Sequence, residues 1–226
     1  IPPVVTLIAE EAAEDPTFQG SDSSVTLVWE ASDALSGVEH YEYALGTTAG
    51  DTDLVAWVHT GMDLTVTIPD LVLAEGETYF GSVRVFDLAG NVAEGQGDGV
   101  TVDITAPAAG TAMDITDLNN TADQSFTGST TTLQASWSGF SDNMSGINTY
   151  EYAVGSTALQ TDIKNWTSGG PETSMTDNTF SLVNEQAYFV SVRAADAVGN
   201  VSDPVSTDGI VADHAGPIGF TVADGD

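Results

Sequence analysis

Apolar and polar residues alternate along most of this chain, in short runs set off by clusters of Gly, Asp, Asn and Ser. In VTLVW every second residue is Val, Leu or Trp, and in VRV two valines flank an arginine. A period of two puts such side chains on one face of a pleated strand, so the runs read as half-buried strands. The pattern predicts strands over residues 4–9, 24–29, 39–44, 65–68, 79–86 and 100–103, with a short one at 55–58. In the second half it predicts 112–115, 133–137, 149–153, 179–182, 187–194 and 210–212. No run of about ten residues or more carries the apolar stripe of a helix. Residues 10–15 collect helix-forming side chains without such a stripe and read as a loop.

The pattern also repeats. Trp29, Tyr41, Trp57, Tyr79, Arg84, Asp87 and Asn91 return as Trp137, Tyr150, Trp166, Tyr188, Arg193, Asp196 and Asn200. Self-similarity at a spacing of roughly 109 residues means two copies of one folding unit. Copy one closes on VDITAP and copy two on VADHAGP. The expected domains are residues 1–106 and 107–217, with 218–226 as the start of a further repeat or a linker. A feature present in one copy alone is a poor guide to what the unit does.

About seven short strands in roughly 105 residues, with turn signals between them, point to an antiparallel β-sandwich. The expected fold is therefore all-β: two tandem seven-stranded antiparallel sandwiches. In detail the chain resembles the fibronectin type III family and the related immunoglobulin-like repeats of large bacterial surface adhesins. The residues that carry the resemblance are Trp29 in VTLVW and Trp137 in LQASW, the YEYA tyrosines, and Tyr79 and Tyr188 at the head of YFGSVRV and YFVSVRA. The DxxGN turns and the Asp-to-Pro closing segments add to it. The resemblance implies that Trp29 and Trp137 lie between the sheets. It also implies that Tyr79 and Tyr188 form corners whose hydroxyls bond upstream backbone, with Leu71 or Leu73 as the partner leucine of the first.

Composition narrows the partners. Three basic residues (Arg84, Lys164, Arg193) face 34 acidic ones, for a net charge of −31. Such a surface repels nucleic acid and anionic membranes. Acidity this strong often accompanies disorder, but 41% hydrophobic residues in periodic runs argue for packed cores. Two explanations of the charge stand side by side: a saline extracellular setting that screens self-repulsion, and bound Ca²⁺, which takes oxygen ligands. There is no cysteine, hence no disulfide.

Candidate chemistry is sparse. His40, His59 and His214 have no counterpart in the other copy, and HExxH, GxSxG and glycine-rich phosphate loops are absent. The expected unit is not an enzyme. Asp87 and Asp196 of the DxxGN turns read as bonding their own backbone, with Gly90 and Gly199 supplying a positive φ. The metal candidates are Asp103 and Asp213, four residues before Pro107 and Pro217, with Asp142 and Asp33 on the loops after the second strands. At an inter-domain junction these carboxylates would hold Ca²⁺ and stiffen the joint, with Asp22, Asp98 and Asp208 as further oxygens. Trp57 and Trp166 offer rings for stacking on sugars or cover a sheet edge, while each arginine is expected to pair with a carboxylate. The sequons at Asn143, Asn165 and Asn200 fall only in copy two.

The function expected from these residues is a non-catalytic extracellular spacer or stalk of a large bacterial surface or secreted adhesin-like protein, stiffened by Ca²⁺. Its partners are adjacent repeats of the same chain. The competing readings are a module that binds a glycan or protein, and accessory domains of a secreted polysaccharide-degrading enzyme.

Overall fold

The computed structural model describes residues 1–10, 15–119, 122–217 and 219, the side chain of Leu7 aside. Expectations placed on 218–226 fall almost wholly outside these residues. The chain divides into two compact units, the first made of residues 1–105 together with 198–200 and the second of residues 106–197 and those from 201 on. Both are all-β, without a helix among the described residues.

The first unit contains β1 (Val4–Glu10), β2 (Phe18–Gln19), β3 (Val25–Ser32), β4 (Val38–Gly46), β5 (Val55–Gly61), β6 (Thr65–Ile68), β7 (Thr78–Asp87), β8 (Val92–Gln96) and β9 (Val100–Val102). One sheet has the order β1-β3-β6; the other runs β2-β9-β7-β4-β5, with β8 also paired to β7. All pairings are antiparallel except β2 with β9. The second unit repeats the plan with β10 (Thr111–Ile115), β11 (Phe126–Thr127), β12 (Leu133–Ser138), β13 (Ile147–Gly155), β14 (Lys164–Gly170), β15 (Ser174–Asp177), β16 (Ala187–Asp196), β17 (Val205–Ser206) and β18 (Ile210–Ala212). Its sheets run β10-β12-β15 and β11-β18-β16-β13-β14, with β17 on β16.

Among the described residues each unit thus shows nine strands where the sequence pattern suggested seven. The first strand crosses from one sheet to the other, which splits it into β1 and β2 (β10 and β11 in the second unit). The last is broken into β8 and β9 (β17 and β18) by Gly97, Asp98 and Gly99, or by Thr207, Asp208 and Gly209. The strand expected at 179–182 lies instead at Ser174–Asp177. Thr179 to Leu182 alternate like a strand, but their amides bond back to the loop before β12, with Phe180 N on Thr131 O and Leu182 N on Thr130 O.

Alternation decides the cores. In β3, Val25, Leu27 and Trp29 point inward and meet Val83 and Val85 of β7, Tyr41 and Leu45 of β4, and Val100 and Val102 of β9. Leu133, Ala135 and Trp137 do the same in the second unit, against Val190, Val192, Tyr150 and Val154. Trp29 and Trp137 lie between the sheets, each packed on a tyrosine: Tyr41 at 6.0 Å and Tyr150 at 5.6 Å between ring centroids. Fully burying a side chain of this size contributes about 1.5–3 kcal/mol or more. Both tyrosine corners form. Tyr79 Oη accepts the Ala74 N–H at 2.8 Å and Tyr188 Oη accepts the Val183 N–H at 2.8 Å. Leu73, buried in the core, is the corner leucine; Leu71 packs at the margin.

Candidate functional site

Each unit places carboxylates where its first strand leaves one sheet and its last strand is broken in the other. In the first, β1 ends at Glu10 as the chain leaves its sheet, opposite the break between β8 and β9. Glu10 is fully buried, and its Oε1 accepts the Gly81 N–H at 2.7 Å. Its Oε2 is buried with no hydrogen-bond partner among the described residues. Asp15 turns back so that its Oδ1 accepts the Glu10 N–H at 3.2 Å, and Asp98 comes from the break itself. Oxygens of Glu10, Asp15 and Asp98 lie within 4.8 Å of one another.

The second unit builds the same arrangement from different residues. Asp114 of β10 is fully buried, its Oδ2 accepts the Gly209 N–H at 3.0 Å, and its Oδ1 has no partner among the described residues. Asp123 Oδ1 accepts the Asp114 N–H at 3.0 Å. With Asp208 from the break between β17 and β18, these oxygens again fall within 4.8 Å. Two unit charges about 5 Å apart repel by about 3 kcal/mol at an effective dielectric of about 20. Burial, helped by the charges of Asp15 and Asp98 and opposed by the Gly81 and Gly99 amides, pushes the Glu10 carboxyl up to about 7. Burial does the same to Asp114, up to about 7, with Asp123 and Asp208 adding to it against hydrogen bonds from Thr207 and Gly209. Such a cluster is neutralised by shared protons or by a cation.

The four aspartates named in the sequence as metal candidates occupy other places. Asp33 Oδ1 accepts the amides of Leu35, Ser36 and Gly37 at 3.1, 2.7 and 2.8 Å. The Gly37 amide foremost holds its carboxyl below the usual range. Asp142 Oδ1 does the same work in the second unit, on Met144 N and Gly146 N at 3.0 and 2.8 Å. Asp103 is buried after β9, with Oδ1 3.3 Å from Thr105 N; Asp213 Oδ1 accepts Ala215 N–H at 3.1 Å. Asp33 and Asp103 belong to the first unit, Asp142 and Asp213 to the second. The first DxxGN turn is closed by itself: Asp87 Oδ1 accepts Ala89 and Asn91 amides, and Oδ2 accepts the Asn91 side chain at 2.7 Å. That side-chain bond is the main reason the Asp87 carboxyl is held low.

On the outer face of the larger sheet, Arg84 lies 3.9 Å from the Trp57 ring centre and bonds Glu94 at 2.9 Å. Arg193 lies 4.4 Å from the Trp166 ring and bonds Glu151 at 2.6 Å. Each guanidinium therefore covers one face of the indole that a sugar ring would use. Sequence reasoning named Asp98 and Asp208 only as extra junction oxygens, and it missed Glu10, Asp15, Asp114 and Asp123. The one signal for them was an acid within the last two residues of the first strand in both copies, Glu10 closing β1 and Asp114 next to last in β10.

No family model matches the chain. Over 202 residues it is 31% identical to chitinase A1 of Niallia circulans, covering 89% of this chain and 26% of that protein. Over 186 residues it is 28% identical to exoglucanase B of Cellulomonas fimi, covering 81% of this chain and 15% of that protein. The chain therefore spans about a quarter or less of the length of the curated relatives it matches. Among solved structures it is similar to the fibronectin(III)-like modules of Clostridium thermocellum CbhA, at 16% identity and TM-score 0.49 over 92% of this chain and 94% of that one. It is also similar to the chicken CNTN1 FN1–FN3 domains, at 14% identity and TM-score 0.45 over 88% and 65%. With three strands packed on a larger sheet, a tryptophan between them and a tyrosine corner, each unit has a fibronectin type III-like fold.

Proposed function

We propose that the chain is a pair of non-catalytic accessory modules of a secreted bacterial enzyme that degrades an insoluble polysaccharide. The observation that carries this is the similarity along most of the chain to parts of a chitinase and an exoglucanase, both much longer. Chitin and cellulose are too large to enter a cell, so enzymes acting on them work outside it. The expected stalk of a surface adhesin has the same physical attributes, but the relatives favour the enzyme setting. A spacer role fits residues devoted to closing turns and filling cores: Asp33, Asp87 and Asp142 spend their oxygens on backbone amides. The acidic surface keeps such modules soluble at the concentrations of secreted proteins.

The reading frame that encodes this chain tests the proposal. It should also encode a glycoside hydrolase domain. A frame of surface-anchored repeats with no hydrolase would return the adhesin stalk to first place.

A further inference from the structure

We propose that each unit binds one calcium ion, between Glu10, Asp15 and Asp98 in the first and between Asp114, Asp123 and Asp208 in the second. Acidic clusters are common on a surface this charged; these two differ because each has a fully buried member with an oxygen left unbonded. Glu10 Oε2 and Asp114 Oδ1 are shielded from water and make no hydrogen bond of ordinary geometry among the described residues, although the Gly99 amide and the Thr207 hydroxyl approach the two carboxyls, and a buried carboxylate oxygen in that state is costly. No basic side chain serves either cluster, since Arg84, Lys164 and Arg193 are paired with Glu94, Asp177 and Glu151.

The two clusters also keep one geometry through different residues. Glu10 faces Gly97, where an added Cβ would collide with both carboxylate oxygens. In the second unit the acid is one methylene shorter and Thr207 stands where Gly97 stands in the first. Gly97 N bonds Gly81 O and Thr207 N bonds Val190 O, both at 2.9 Å on matching strands. In both units the loop aspartate receives the amide of the buried acid, at 3.2 Å from Asp15 and 3.0 Å from Asp123. A carboxylate is thus held at the same point of the fold although its residue type and its neighbour both change.

Oxygen-only donors select a hard cation over zinc, which takes His and Cys. Oxygens spread over as much as 4.8 Å suit Ca²⁺, with bonds of about 2.3–2.6 Å and a tolerant shell completed by backbone carbonyls and water. Mg²⁺ demands a tighter octahedron at about 2.0–2.1 Å and holds its water. The junction candidates Asp103, Asp213, Asp142 and Asp33 lie outside both clusters. The proposal is independent of the spacer reading.

Calorimetric titration of the chelator-treated chain with CaCl₂, at ionic strength fixed by NaCl, tests it. The unsubstituted chain should bind two more calcium ions than the Glu10→Gln, Asp114→Asn double variant, and each single variant should lose one. The neutral replacements keep the shape of the slot, so in chelator their melting temperatures should equal or exceed that of the unsubstituted chain, which separates lost binding from lost folding. Equal calcium stoichiometry in all four chains would overturn the proposal, as would equal heats from CaCl₂ and MgCl₂.

Discussion

The pairing of Glu10 with Gly97 and of Asp114 with Thr207 explains why one acid differs between otherwise matching modules. The larger acid needs a neighbour without a Cβ; the smaller one accepts threonine, whose hydroxyl also helps it. Gly97→Thr should therefore destabilise the first unit by about 1–3 kcal/mol, as overpacking does. Adding Glu10→Asp should restore most of that loss. Urea denaturation of the two single variants and the double reads this as a coupling energy above about 1 kcal/mol; additive effects would mean that the two residues do not share a slot. At this scale the sequence was legible wherever both copies use the same residue. Trp29, Trp137, Tyr79 and Tyr188 are identical across the repeat, and each sits where the resemblance implied. The carboxylate slot was hidden because its buried acid and the residue facing that acid both change type. The loop that returns its second aspartate also changes length, from 5 residues after Glu10 to 9 after Asp114.

Between elements, the modules differ where β14 and β15 of the second replace β5 and β6 of the first. Val55 and Ile68 give way to Lys164 and Asp177, which pair within reach of Tyr152 Oη, 2.8 Å from Asp177 Oδ2. Burial works against the charge of Asp177, yet hydrogen bonds from Lys164, Thr179 and Tyr152 hold its carboxyl well below the usual range. Lys164→Val alone should cost about 3 kcal/mol, because it leaves a buried carboxylate without its cation. Combining Lys164→Val with Asp177→Ile copies the first unit and should be near neutral. A folded value below the unfolded one means the pair stabilises fully above the ordinary carboxylate range and loses this as pH falls through the folded value. Acid melts should accordingly show a steeper fall below about pH 4 for the unsubstituted chain than for the double variant; identical acid limbs would contradict it. The same substitution explains a misplaced strand. Asp177 ends β15 and caps Thr179, at 3.0 Å to its amide, so the alternation that follows belongs to the approach to the tyrosine corner. The breaks in the first and last strands were equally hard to read, since they depend on which sheet a strand joins and not on its own pattern.

Over the whole molecule, 34 acids and three bases leave a surplus that no single element explains. The bases are spent on ion pairs within units, while the acids serve as turn caps, as buried clusters and as a hydrated surface. The histidines make local contacts: His40 stacks on Phe86 at 4.2 Å, and His214 bonds Ser129 O at 2.8 Å. The proposed role as passive accessory modules of a polymer-degrading protein is tested directly by mixing the chain with insoluble chitin and with cellulose. All of the protein should remain in the supernatant, and no reducing ends should be released. Depletion onto either polymer, abolished by Trp57→Ala with Trp166→Ala, would make the outer sheet faces a glycan platform and contradict the spacer; release of sugar would contradict it outright.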